Sequence, residues 1–335
     1  MIGPLRFRPF LRPTVWGGRR LATALGKELP TPDAYGESWE VSDHPAHRTV
    51  VTEGPLRGRS LRDLMEQSPA DLLGPPNAGC RLPTVFPWLL KYLDARDWLS
   101  VQVHPDDDKA RRLWPGEGGK TEAWFILDAD PGSLVYAGLL AGVDEAQLRR
   151  ALAAGSVADC LHHFRPRPGD CLFLPAGTVH AVGGGVLMAE IQQTSDATFR
   201  LFDWNRRDAQ GRSRTLHVEE ALACIDWRAG PVHPVRAEGY PVDGVALPQP
   251  VRQPLAACRY FTLEYLRQSE PFALGGAGRL QALMVLHGRA ALADDARMTL
   301  DRGNTVVLPA TMAATECHPE GPLGLLVATL PDRRG

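Results

Sequence analysis

Apolar and polar residues alternate strictly along Leu99-Ser100-Val101-Gln102-Val103-His104, the period-2 signature of a strand, so Ser100, Gln102 and His104 project from one face. Glu122-Ala123-Trp124-Phe125-Ile126-Leu127 reads as the following strand, and Phe86 to Asp94 as a buried strand with Lys91 embedded in it. If the strands carrying His104 and Glu122 share one antiparallel sheet, Gln102, His104 and Glu122 converge on one face. Shorter extended pieces fall at Phe7 to Phe10, Val15 to Gly18 and Gly36 to Ser42. Helical spacing is confined to short stretches. Leu21 to Lys27 allows one or two turns, and Ser60 to Leu73 carries Leu61, Leu64 and Met65 behind a Ser60 N-cap. Val143 to Leu161 starts from an Asp144 N-cap and breaks at Gly155-Ser156, predicting two short helices, and Val218 to Ile225 reads as another.

Turn chemistry organises the middle of the chain. Gly169-Asp170 makes a turn, Cys171 to Leu174 a strand, and Pro175-Ala176-Gly177 a second turn that delivers His180 into a new strand. Gly303-Asn304-Thr305-Val306-Val307-Leu308-Pro309-Ala310 repeats the Gly-to-Pro spacing of residues 169–176, but Ala314 stands where the first copy has His180. Two related β units are therefore expected, and only the first can bind a ligand through that histidine.

Composition narrows the class. The 335 residues are 44% hydrophobic and 23% charged, with 33 Gly and 29 Pro, which favours many turns and short strands over long helices. A net charge of −2 offers no basic excess for nucleic acid or an anionic membrane. No apolar run approaches the roughly 18 residues of a membrane span, and the start lacks a signal-peptide core, so a cytoplasmic protein is expected. Cys80, Cys160, Cys171, Cys224, Cys258 and Cys317 form no C-x-x-C pair, which argues against a thiolate zinc site. Only four of the 37 basic residues are lysines, and three of them, Lys91, Lys109 and Lys120, lie near the opening strand.

Burying a Gln and a His unpaired costs a few kcal/mol each, so the polar face of the opening strand needs partners. A metal ion is one solution and hydrogen bonding to neighbouring strands is another. His104, Glu122 and His180, with Gln102 as a fourth, form a donor set suited to zinc without any thiolate. Arg200, among aromatic and apolar neighbours, either pairs with an acid such as Asp203 or faces an anionic ligand. His162, His163, His287 and His318 lack companions of this kind and read as solvent-facing or structural.

Four ordered motifs then carry a resemblance. Ser100-Val101-Gln102-Val103-His104-Pro105, Gly119-Lys120-Thr121-Glu122, Pro175-Ala176-Gly177-Thr178-Val179-His180 and Thr198-Phe199-Arg200-Leu201-Phe202-Asp203-Trp204 resemble the type I mannose-6-phosphate isomerases in their short bacterial form. The agreement extends to Val15-Trp16-Gly17-Gly18 and Gly36-Glu37-Ser38-Trp39 and spans most of residues 10–207. The resemblance implies a mostly β, cupin-type double β-barrel, jelly-roll-like, with a few short helices. It implies a catalytic domain over residues 1–230, a degenerate barrel over 231–335, and a zinc enzyme interconverting mannose 6-phosphate and fructose 6-phosphate. Carried over by motif, Gln102, His104, Glu122 and His180 would hold one Zn²⁺ per chain, and Arg200 and Lys120 would be catalytic. Ser100, Lys120, Asp196 and Trp16 would meet the substrate.

Aldose–ketose isomerisation moves a proton between C1 and C2 through an enediol, which calls for a base in reach and for positive charge near the developing oxyanion. Lys120, a zinc-bound hydroxide and Glu190 are the base candidates. The expected partner is a small sugar phosphate, met by a monomer or weak homodimer. A non-catalytic sugar-phosphate sensor or regulatory cupin is the alternative, and an iron cupin dioxygenase is disfavoured because its ligands arrive as His-x-His.

Overall fold

The computed structural model describes residues 2–76, 81–207, 211–240, 250–293 and 298–331, so Cys80 lies outside the described residues. Two β-sandwiches of the cupin type stand face to face. In the first, a seven-stranded sheet runs in the order Val235–Arg236, Asp170–Leu174, Glu122–Ala129, Val186–Gln193, Trp88–Ala95, Phe10–Gly18, Tyr35–Val41. Its partner sheet has five strands, Leu161–Phe164, Val135–Leu139, His180–Val182, Val101–Val103 and Phe199–Phe202. The second sandwich pairs another seven-stranded sheet, built on Thr262–Gln268, Gln281–His287, Thr305–Leu308 and Leu323–Thr329, with a four-stranded one. The strand Leu5–Arg8 belongs to this second sandwich, where Leu5 and Arg6 lie opposite Val307 and Val306.

The central strands of the large first sheet, Glu122–Ala129, Val186–Gln193 and Trp88–Ala95, are buried on both faces over nearly their whole length, so apolar residues stand on both sides of them rather than on one. Along Glu122–Ala129, the residues Ala123, Phe125 and Leu127 enter the core shared by the two sandwiches, together with Leu90, Tyr92, Tyr265, Ala282 and Met284. Trp124 and Ile126 turn the other way, into the first barrel, to pack with Leu93, Leu172 and Met188. The outer face of the five-stranded sheet is covered by the helices Glu145–Ala154 and Val218–Cys224, through Leu148, Ala151, Ala221 and Leu222.

Several expected elements differ in extent. Leu21 to Lys27 forms only the single turn Arg20–Thr23. Ser60 to Leu73 divides into Leu61–Gln67 and Pro69–Leu73, because Pro69 supplies no backbone donor to continue the first helix and instead starts the second. Ser60 caps the first of these in a reciprocal box with Asp63, and Asp144 caps Glu145–Ala154 in the same way with Gln147. The opening strand is regular only over Val101–Val103.

Candidate metal centre and sugar pocket

Convergence of the polar residues arises across the sandwich and not within one sheet. Gln102 and His104 come from the five-stranded sheet and its edge, whereas Glu122 belongs to the seven-stranded sheet opposite, so the expected shared sheet is corrected. His180 completes the group: it pairs directly with Gln102 in the five-stranded sheet, on the far side of the turn at Gly177. One ligand atom from each of His104, Glu122 and His180 lies within 4.8 Å of the others, and all three residues are buried.

The local bonding turns one nitrogen of each imidazole towards the centre. His104 donates from Nδ1 to the Ala197 carbonyl at 2.8 Å, and His180 donates from Nδ1 to the Thr178 carbonyl at 2.9 Å. Both rings therefore turn an unprotonated Nε2 towards the centre. Burial, then Lys120, pushes the His180 pKa down to about 4, and the same causes hold His104 well below the ordinary imidazole range, so both rings are neutral near pH 7. Glu122 places Oε2 3.4 Å from His104 Nε2 and Oε1 3.4 Å from His180 Nε2. Glu122 Oε1 has no hydrogen-bond partner despite its burial, and Oε2 is met by the Lys120 ammonium. Lys120 Nζ sits 2.8 Å from His104 Nε2 and 2.7 Å from Glu122 Oε2, so the cluster already draws a positive group to its centre. Two neutral imidazoles and a buried carboxylate with one oxygen unpartnered fit a divalent cation. Gln102 donates from Nε2 to His180 Nε2 at 3.2 Å, and its amide oxygen would face the centre after a half-turn.

Above these residues opens a cavity of about 230 Å³ lined by Trp16, Ser100, Gln102, Lys120, Asp196 and Arg200, among others. One wall is a cross-strand row. Trp124 lies opposite Glu190, Glu190 opposite Lys91, and Lys91 opposite Trp39. Trp124 Nε1 donates to Glu190 Oε1 at 2.9 Å, while Glu190 Oε2 has no hydrogen bond. Lys91 Nζ is 3.6 Å from that oxygen and 3.5 Å from Glu37 Oε2, beneath the Trp39 ring. Burial disfavours the Lys91 ammonium, but Glu37 and Glu190 outweigh it and raise its pKa. The Glu190 carboxyl is raised by burial, against the pull of Lys91.

Arg200 is not paired with Asp203, which binds Arg206 instead at 2.5 Å. Its Nε has no partner, and burial followed by repulsion from Arg214 lowers its pKa. Arg200 and Arg214 thus bring two guanidinium groups to the same cavity, with Asp203 and Asp196 the carboxylates that act on Arg200. Arg214, His44 and Glu117 also line the cavity and escaped the sequence reading. The His44–Glu117 contact of 2.9 Å joins segments 73 residues apart, and nothing in either local pattern signals it.

Residues 5–124 match the model of the type I phosphomannose isomerase catalytic domain. The mannose-6-phosphate isomerase of Streptococcus mutans is 40% identical over 222 residues, covering 66% of this chain and 67% of that protein. The chain belongs to the type I phosphomannose isomerase family. Within the family, the Bacillus subtilis mannose-6-phosphate isomerase ManA is 35% identical over 289 residues, covering 83% of this chain and 87% of its own. The crystal structure of the mannose 6-phosphate isomerase from Bacillus subtilis superposes with a TM-score of 0.84 at 27% identity, covering 98% of this chain and 99% of that one. The type I phosphomannose isomerase likeness therefore extends over both sandwiches, as the double-barrel expectation required.

Proposed function

We propose that the chain is a zinc-dependent isomerase interconverting mannose 6-phosphate and fructose 6-phosphate, with residues 1–230 supplying most of its catalytic domain and 231–335 most of a degenerate barrel, while Leu5–Arg8, Val50–Val51 and Val235–Arg236 each join the other part's sheet. The observation that carries this reading is the buried His104, Glu122 and His180 cluster, joined to a polar cavity through Gln102 and Lys120, which touch the cluster and line the cavity, in a member of a sugar-phosphate isomerase family. His104, Glu122 and His180 would hold the zinc, with Gln102 as fourth ligand through its amide oxygen. Bound there, the ion would supply Lewis-acid polarisation of the sugar oxygens.

The chain's own residues account for the remaining needs. Arg200 and Arg214 bring positive charge to the same cavity, suited to the phosphate dianion and to the oxyanion of the enediol. Ser100 offers a hydroxyl donor, Trp16 an apolar face and Asp196 a rim acceptor for sugar hydroxyls. Glu190 Oε2, without a hydrogen bond, is the acceptor for the proton leaving C2 and its donor back to C1. Lys120, held between His104 and Glu122, supplies a cationic donor beside the reacting oxygens.

Among the described residues no helix is long and apolar enough to cross a membrane. The reading extends to a cytoplasmic monomer or weak homodimer acting on a soluble substrate. A coupled assay with mannose 6-phosphate on zinc-loaded and chelated protein tests it. Turnover that disappears with the metal and returns with Zn²⁺ is expected. Tight sugar-phosphate binding with no turnover at any metal loading would replace the isomerase with the regulatory cupin.

A further inference from the structure

Among the described residues the second barrel holds no histidine cluster, and a carboxylate of the first ties it to the candidate site. Asp107, the first residue of the helix Asp107–Leu113, accepts hydrogen bonds at both of its oxygens from two directions. Oδ1 accepts from the Gly119 backbone at 3.0 Å and from Gln193 Nε2 at 3.0 Å. Oδ2 accepts from the Tyr260 hydroxyl at 2.7 Å and from the Arg259 guanidinium at 2.8 Å. An ionised carboxylate has about four acceptor positions, so all are filled. The Oδ1 side leads directly to the ligand segment. Gln193 passes the restraint on, its Oε1 accepting from the Thr121 backbone at 2.9 Å, and Lys120 N is bonded to the Pro105 carbonyl at 2.9 Å. Gly119 has no room for a side chain: a Cβ there would lie 2.6 Å from Asp107 N and Oδ1.

The Oδ2 side belongs wholly to the second barrel. Arg259 and Tyr260 occupy the turn between Val251–Ala257 and Thr262–Gln268, closed by the Cys258 to Phe261 backbone bond of 2.9 Å. Trp88 Nε1 donates to the Tyr260 carbonyl at 2.9 Å and fixes the turn against the first barrel.

We propose that Asp107 is a strut through which the second barrel positions the Gly119-Lys120-Thr121-Glu122 segment, and that Tyr260 is a positioning residue for the candidate site. The proposal rests on the reading of Lys120 and Glu122 as site residues. It gives the degenerate barrel a task in catalysis without any chemistry of its own.

The test uses the full chain carrying Tyr260→Phe, Arg259→Ala or both. Tyr260→Phe keeps the ring and Arg259 is exposed, so the fold survives. Amide hydrogen exchange in the peptide spanning residues 119–122 is expected to rise at least tenfold in the double variant, while that of Thr262–Gln268 stays unchanged. Zinc affinity of the apo-protein, measured by chelator competition, is expected to fall about tenfold, the low end of what loosening the groups around a metal ligand costs. The constant kcat falls by a similar factor, with KM within twofold. A double variant that melts at lower temperature but keeps exchange at residues 119–122, zinc affinity and kcat at wild-type values overturns the strut. A wild-type chain without turnover overturns the isomerase reading instead, while the exchange measurement still reports on Asp107.

Discussion

His104 and Glu122 illustrate how a residue's surroundings decide its chemistry. Both are buried, the imidazole neutral and the carboxylate beside the Lys120 ammonium, and both turn donor atoms towards the same point. His104→Ala or Glu122→Ala is expected to abolish metal binding and isomerisation together, read by metal content after dialysis and by the coupled assay. Arg200→Ala keeps the metal and loses roughly 10²–10³ in kcat, the magnitude of removing one charge-stabilising donor. Retained turnover in that variant would remove Arg200 from the catalytic set. Arg214→Ala, by contrast, is expected to raise KM for the phosphorylated sugar more than it lowers kcat.

The pH dependence follows from Glu190. Burial raises its carboxyl, so the folded protein holds this proton to higher pH than the unfolded chain does. The associated stability is present below the unfolded value and is lost as pH rises through the folded one. Activity has the opposite sign, because a base must be ionised. The acid limb of kcat/KM is therefore expected above the ordinary glutamate range, and Lys91→Met, which removes the nearest cation, moves it higher still. A limb that stays in place in the Lys91 variant would assign the proton transfer elsewhere.

At the scale of elements, the cross-strand row of Trp124, Glu190, Lys91 and Trp39 shows charge built into a sheet that is otherwise apolar. Removing the Lys91 ammonium leaves Glu37 and Glu190 facing each other, and breaking a buried ion pair this way typically costs roughly 3–5 kcal/mol. Thermal or urea unfolding of Lys91→Met at constant pH measures it. A smaller, separable effect is expected at the capping box, where Ser60→Ala removes the Asp63 amide's partner and costs about 1 kcal/mol.

Much of the element pattern was legible because it is local. Periodicity placed Val101–Val103 and Glu122–Ala129, and N-cap chemistry marked Ser60 and Asp144. The gathering of His104, Glu122 and His180 was accessible from residue type and turn chemistry together with the family likeness. What periodicity could not supply was the sheet assignment. Strand alternation says which side a residue faces, and only the layering of two sheets says that Glu122 looks back at Gln102 from across the barrel. His44 and Asp107 were invisible for a related reason. Their partners stand far away in sequence, and an exposed-looking charge in a turn carries no mark of the barrel wall it will meet.

The whole molecule is held by packing between the large sheets, where Leu90, Ala123 and Ile191 of the first meet Leu263, Ala282, Met284 and Leu326 of the second. Met284→Ala in that layer is expected to cost roughly 2–5 kcal/mol, depending on how far the two sheets close the gap. The strand Leu5–Arg8 has a different consequence, one of timing. It lies between Val50–Val51 and Thr305–Leu308, so its edge next to Val306 and Val307 stays unpaired until a segment about 300 residues later has been made. Contacts of such separation form late, since long loops must close before they gain anything. During synthesis the nascent chain therefore carries an open strand edge at Leu5–Arg8, exposed to unwanted pairing, until Thr305–Leu308 closes it.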